Sequence, residues 1–209
     1  MADKLLDLFS GIGGFSLGLE RTGGFETVQF VESDPSCQQA LAHHWPEVPI
    51  HEDVRTFEPV RSVDVVTAGF PCQDISMAGT GAGITGERSR LFWEVVRTIC
   101  LVGPALTILE NVAALLHRGM GDVLGALATT GRDAEWDCVS ACQYGLPQNR
   151  TRVFIVSHNS GDRKLQPGWS FCDKRGWVSD CFQAPAWPLG VEVRDAGGSG
   201  FSDRLVGNA

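Results

Sequence analysis

Lys4-Leu5-Leu6-Asp7-Leu8-Phe9-Ser10-Gly11-Ile12-Gly13-Gly14-Phe15 begins as an apolar run of strand length and ends with three glycines in four positions. The helical pattern Phe15–Gly23 follows at once. A strand that turns through glycines into a helix is the opening unit of an open α/β sheet, whose ligands bind at the carboxyl ends of the strands. Glycine there allows close approach of backbone to a ligand, and equally close helix–strand packing. Glu32 ends the next apolar run and is placed to accept hydrogen bonds from a ribose. A dinucleotide fingerprint would need glycine at position 16, where Ser16 stands, so an adenosyl ligand without a pyrophosphate fits better.

Outward from this unit, strands and helices alternate to about residue 157. The strands are predicted at Lys4–Phe9, Thr27–Val31, Val63–Ala68, Ala105–Glu110, Ala134–Ala141 and Arg152–Ser157. Helices are predicted at Phe15–Gly23, Pro35–Trp45, Arg88–Leu101 and Gly119–Thr130, with Pro35 in the first turn of its helix. Such alternation implies a parallel or mixed sheet covered by helices on both faces. After Asn159, Gly, Pro, Trp and charged residues mix without a period. The resulting division is a unit over 1–158, an irregular insert over 159–200 and a short returning segment over 201–209.

The 209 residues suit one domain, and 43% apolar against 20% charged residues is the balance of a chain that folds. No apolar stretch is long and uninterrupted enough to span a membrane, and no basic-then-apolar leader opens the chain. A soluble, cytoplasmic protein is expected. Seven scattered cysteines without a C-x-x-C pair argue against both a disulfide framework and a closed zinc site, so no metal is expected. Most of the thiols should be small buried hydrophobes, Cys100 and Cys138 among them. The net charge of −8 arises entirely in residues 1–110, which carry 7 Lys and Arg against 15 Asp and Glu. Any nucleic-acid site is therefore a local patch on an acidic background.

Three further stretches carry chemistry. Gly69-Phe70-Pro71-Cys72-Gln73-Asp74-Ile75-Ser76 follows a strand directly, and Cys72 there has the exposed, rigid setting of a nucleophile. The glycine-rich stretch behind it, residues 79–86, suits a closing loop. Glu110-Asn111-Val112 places a carboxyl at the end of an apolar strand, where burial should raise its pKa and let it donate a proton near neutrality. Arg150 and Arg152, with one residue between them at a strand entrance, are expected to point to opposite faces. Asp53, just past a short apolar stretch, is read either as an acceptor for an adenine amino group or as a solvated loop acid.

Taken in order, D-L-F-S-G-I-G-G-F, G-F-P-C-Q-D-I-S, E-N-V, Q-Y-G-L-P-Q-N-R-T-R-V-F-I-V and the terminal Gly207-Asn208-Ala209 resemble the motifs of the DNA (cytosine-5) methyltransferases. The resemblance is continuous over residues 4–157. It implies a class I S-adenosylmethionine-dependent methyltransferase (Rossmann-like) fold with a short target-recognition insert. It also implies that Cys72 adds to cytosine C6, Glu110 acts at N3, and Arg152 with Arg150 holds the base and its flanking backbone. S-adenosylmethionine would be held by Phe9, Gly11, Gly13, Gly14, Glu32, Asp53, Pro71 and Asn208. Duplex DNA, with the target base flipped out, would meet Gln73 and Arg88. In the insert, Arg163, Lys164, Lys174 and Arg175 would meet phosphates. A restriction endonuclease of the same system is an expected partner.

The insert is short for this family, and family members continue past the last motif into a helix beside the cofactor loop. A fragment, or a domain completed by another C-terminal segment, is therefore expected. The catalytic motifs alone leave two other readings open: a tRNA cytosine methyltransferase, and a truncated relative that binds cofactor or DNA without turnover.

Overall fold

The computed structural model describes residues 1–59, 62–71 and 89–160. Seven strands form one sheet in the order β3-β2-β1-β4-β5-β7-β6. They are β1 (Asp3–Leu8), β2 (Phe25–Val31), β3 (Ile50–His51), β4 (Val65–Gly69), β5 (Leu106–Val112), β6 (Arg132–Ser140) and β7 (Thr151–Asn159). The first five run parallel, while β7 is inserted antiparallel between β5 and β6. The helices are α1 (Gly14–Glu20), α2 (Pro35–His44), α3 (Ser89–Val102), α4 (Leu115–Arg118) and α5 (Met120–Thr129).

Two apolar clusters cover the two faces, as the period of two in each strand requires. Leu5, Val65, Leu106 and Ile108 pack with Leu19 and Phe15 of α1. The alternate residues Leu6, Leu8, Val66, Ala68, Leu109, Val153 and Ile155 pack against α3 and α5. Asp34 caps α2, its carboxylate accepting from the Ser36 and Cys37 amides, and Pro35 occupies the first turn as predicted. On β6, Arg132 is buried and its guanidinium donates to the carbonyls of Pro104, Ala105 and Ser157, to Ser157 Oγ and to Asn159 Oδ1. These bonds tie the entrance of β5 to the end of β7.

Several expectations change. β5 runs on to Val112, so Glu110 lies inside the strand and not at its end; pairing with β7 carries it onward. β3 and α4 are too short to leave a periodic signal. β7 ends at Asn159, one residue beyond the expected unit boundary. Cys100 is exposed and Cys138 half-buried; of the four described thiols only Cys37 is buried. Cys100 falls on the outer side of α3 because Phe92, Val95, Val96 and Ile99 take the inner side. Among the described residues, no helix is long and apolar enough to cross a membrane.

Candidate active site

The turn between β1 and α1 is built from left-handed residues: Phe9 at φ 54°, Gly11 at 54° and Gly13 at 86°. A left-handed phenylalanine is uncommon and marks a turn held by its surroundings. Those surroundings are polar. Ser10 Oγ donates to the Asp7 carbonyl at 2.6 Å, and the Gly11 amide donates to Glu32 Oε2 at 2.7 Å. The other Glu32 oxygen accepts from the Asp34 amide at 2.8 Å. Each oxygen of Glu32 has one protein donor, which leaves acceptor capacity at the end of β2 for a ligand hydroxyl.

Gly13 has a different reason to be glycine. A Cβ there would lie 2.6 Å from Cζ3 and 2.7 Å from Cη2 of Trp45. That ring is held by Glu20, whose Oε2 accepts from Trp45 Nε1 at 2.9 Å, and by edge contact with Phe30. Close packing beneath the turn therefore accounts for this position.

Asp53 lies in the loop after β3. Arg55 forks onto it, with Nε 2.9 Å from Oδ1 and Nη2 2.6 Å from Oδ2, and these bonds hold its pKa down at about 2. Asp53 is thus a permanently ionised acceptor shared with Arg55.

The carboxyl of Glu110 lies over Gly69, its register partner on β4. A Cβ on Gly69 would be 3.5 Å from Glu110 Oε2 and 3.9 Å from the Phe9 carbonyl oxygen. The carboxyl ends of β1, β4 and β5 therefore converge on one small space. On its other side Glu110 pairs in register with Phe154 of β7, which meets Phe15 edge to face at 6.1 Å.

Arg152 Nε pairs with Glu110 Oε1 at 2.7 Å, so this buried oxygen has a cationic partner, with no further hydrogen-bond donor among the described residues. Burial raises the pKa of Glu110, against the opposing pull of Arg152 and Arg150. The expected direction holds, with desolvation as its main cause. Arg152 is the arginine placed at Glu110, while Arg150 lies just before β7 and its charge also pulls the Glu110 pKa down; opposite faces would not follow from the spacing, since in extended backbone residues i and i+2 share a face. Burial, together with the neighbouring Arg152 charge, lowers the pKa of Arg150.

Phe70 is buried against Phe92, and Pro71 is exposed one peptide bond before Cys72. Asn111 Nδ2 donates to the Phe70 carbonyl oxygen at 2.9 Å. Cys72, Gln73, Arg88, Arg163, Lys164, Lys174, Arg175 and Asn208 lie outside the described residues, as do the insert and the returning segment beyond Ser160. Trp45, Arg97 and the partners of Asp7 carry no local signal in the sequence. Asn111 carries one: an amide directly after Glu110 in an apolar strand has to find a buried partner.

Residues 4–175 match the sequence model of the C-5 cytosine-specific DNA methylase family. The chain is 36% identical over 169 residues to the type II methyltransferase M2.BsuMI of Bacillus subtilis (strain 168), a match covering 77% of this chain and 43% of that protein. It is 31% identical over 185 residues to M.AquIA of Picosynechococcus sp., covering 77% and 74%. For the first two relatives, M2.BsuMI and M.Bsp6I, the match spans only about half of their length, 43% and 51%.

Among solved structures, Dnmt2 methyltransferase of S. pombe aligns with a TM-score of 0.67 at 20% identity, over 81% of this chain and 53% of that one. A putative DNA modification methyltransferase from an Escherichia coli prophage aligns with a TM-score of 0.61 at 25% identity, over 76% and 47%. The fold is the Rossmann-like fold of these methyltransferases.

Proposed function

The chain belongs to the C-5 cytosine-specific DNA methylase family, and from that premise we propose that it methylates C5 of cytosine in duplex DNA. The observation that carries the reading is the place of Glu110: its carboxyl lies over Gly69, which also approaches the Phe9 carbonyl, with Arg152 as its charge partner. An acid with a raised pKa thus stands where the β1 turn meets the strand that leads into Pro71 and Cys72.

The residues fit an adenosyl cofactor. Glu32 retains acceptor capacity for ribose hydroxyls, and Asp53 stays ionised for an exocyclic amine. Phe9, Gly11, Gly13, Gly14 and Pro71 would border the cofactor, and Asn208 would join them from the end of the chain. S-adenosylmethionine supplies a methyl group at a sulfonium when bound.

The chain's own residues prepare the base. Cys72 as thiolate forms a bond from sulfur to C6, and Glu110 holds a proton at N3. Electron density displaced from the C5–C6 double bond then collects at C5, the atom to be methylated. After C5 gives up its proton to a base, the electron pair of the C5–H bond re-forms the double bond and expels the Cys72 thiolate. Arg152 orients Glu110, and Arg150 adds positive charge beside it. Because C6 is inaccessible in a stacked duplex, the cytosine is flipped out. Residues 159–200 serve as the target-recognition region, with Arg163, Lys164, Lys174 and Arg175 on phosphates, alongside Gln73 and Arg88 nearer the base. The enzyme acts in the cytoplasm of a bacterial or phage-infected cell, beside a restriction endonuclease of the same system.

The test is transfer of tritiated methyl from S-adenosylmethionine to duplex DNA and, separately, to tRNA. Wild type and Cys142→Ser should label DNA, and Cys72→Ser should not. Transfer confined to tRNA would overturn the choice of substrate, and cofactor binding without transfer to either would make the chain a binding module.

A further inference from the structure

Asp7 is fully buried at the end of β1, two residues before the left-handed Phe9, and the proposed chemistry leaves it without a task. Its carboxyl reaches two other elements. Oδ2 accepts from Ser16 Oγ of α1 at 3.0 Å, and Oδ1 accepts from Thr67 Oγ1 of β4 at 2.6 Å. Ser16 and Thr67 are themselves fully buried. Asp7 and Thr67 are register partners, and Gly69, on the same face two residues further along β4, is the partner of Glu110. The bridge therefore lies one row beneath the space shared by Phe9, Gly69 and Glu110.

We infer that Asp7 is a positioning residue, whose carboxyl clamps the first turn of α1 to the strand that leads into Cys72, so that the cofactor turn and the nucleophile strand move as one body. This rests on the cofactor reading above. The physical ground is that the turn contains a strained, left-handed phenylalanine. Such a backbone keeps its shape only when neighbours over-determine it. Ser16 and Thr67 donate from opposite sides, one to each oxygen, a geometry that a carboxylate with two free oxygens serves without reorientation. Once protonated, Asp7 must offer a donor at one oxygen, and one of the two hydroxyls loses its acceptor.

Burial raises Asp7 from 3.8 to about 7, with the Ser16 and Thr67 hydrogen bonds opposing. Glu32, at the end of β2, is the charged group that adds to the rise; the groups from α1 and β4 are neutral. The clamp therefore loosens through the neutral range, and cofactor affinity should fall as pH drops through it.

S-adenosylhomocysteine binding to the full chain, followed by calorimetry between pH 6 and 8.5, tests this. Wild type should bind several-fold more weakly at pH 6 than at pH 8.5. Asp7→Asn should bind about tenfold more weakly at pH 8.5, as expected for loss of one buried charged hydrogen bond, with a flat pH profile. Thr67 is buried in β4 beneath the proposed cofactor space, so Thr67→Val should cost affinity in wild type and clearly less in Asp7→Asn, whose one remaining acceptor oxygen cannot serve both hydroxyls. Should Asp7→Asn fail to fold, Ser16→Ala and Thr67→Val close an equivalent cycle: non-additive losses support the clamp and additive losses overturn it. A wild-type profile retained by Asp7→Asn overturns the clamp alone. A wild type that does not bind S-adenosylhomocysteine overturns the cofactor reading, and the clamp with it.

Discussion

Asn111 Nδ2 donates to the carbonyl oxygen of Phe70 at 2.9 Å, across 41 residues of chain and from inside the sheet. Its own Oδ1 accepts from the Val112 amide at 2.8 Å, which fixes the orientation of the side-chain amide. Asn111 is the neighbour of Glu110, and Phe70 is two residues before Cys72. One buried side chain thus ties the strand of Glu110 to the backbone that leads into Cys72, the proposed nucleophile.

Asn111→Ala leaves the Phe70 carbonyl without its donor at a buried site, a loss of about 1–3 kcal/mol. The expected outcome is slower formation of the covalent adduct with 5-fluorocytosine DNA, by roughly tenfold or more, with cofactor affinity close to wild type. Adduct formation measured against time, together with cofactor calorimetry, checks the split. Equal losses in both would mean that Asn111 supports the whole sheet end and not the Cys72 strand.

The pH dependence of Glu110 follows from its burial. Its folded-state pKa is raised, so the proton is held to higher pH than on a free glutamate and is lost as pH rises through the folded value. Arg152 pulls the other way, so Arg152→Met should shift the alkaline limb of the methyl-transfer profile upward as well as lower its height. Glu110→Gln should abolish that limb and cost roughly 10²-fold in rate. Asp7 has the same sign. Desolvation outweighs its two hydrogen bonds, so the folded state as a whole favours the protonated carboxyl even though that form loosens the clamp; its contribution to stability is complete below 3.8 and is lost as pH rises through about 7, and the chain should withstand more urea at pH 5 than at pH 8. Asp7→Asn should lose most of that difference.

Arg97 braces, from α3, the loop proposed to border the cofactor. Its Nη2 donates to the carbonyls of Val54 and Phe57, each at 2.9 Å, and its Nε pairs with Glu94. Those carbonyls belong to the loop that carries Asp53. Arg97→Met should lower stability by about 2 kcal/mol through the stranded carbonyls and weaken S-adenosylhomocysteine binding several-fold. Urea unfolding and calorimetry on the same samples measure both. Unchanged affinity with the stability loss intact would detach this loop from the cofactor site.

Local signals made much of this legible. Leucine-rich or β-branched runs alternate along the chain with helical periods from Phe15, Pro35, Arg88 and Gly119, so the strand–helix alternation is written in local sequence. Glu110 after the apolar run Leu106–Leu109 announces a buried acid for the same reason: burial follows from the strand's own composition. The order of the motifs along the chain points to the family without any knowledge of contacts.

Only the tertiary structure decided the rest. No local pattern says that β7 enters antiparallel between β5 and β6, yet that pairing is what brings Arg152 to Glu110 across 42 positions of chain. Nor does any pattern say that the space above Gly13 belongs to the Trp45 ring, or that Asp7 finds both Ser16 and Thr67. The physical reason is common to all three. Periodicity reports which face of an element is dry, a property of neighbours in sequence. The partner of a charge, the filler of a gap and the pKa of a buried carboxyl depend on atoms brought close only when distant segments pack together.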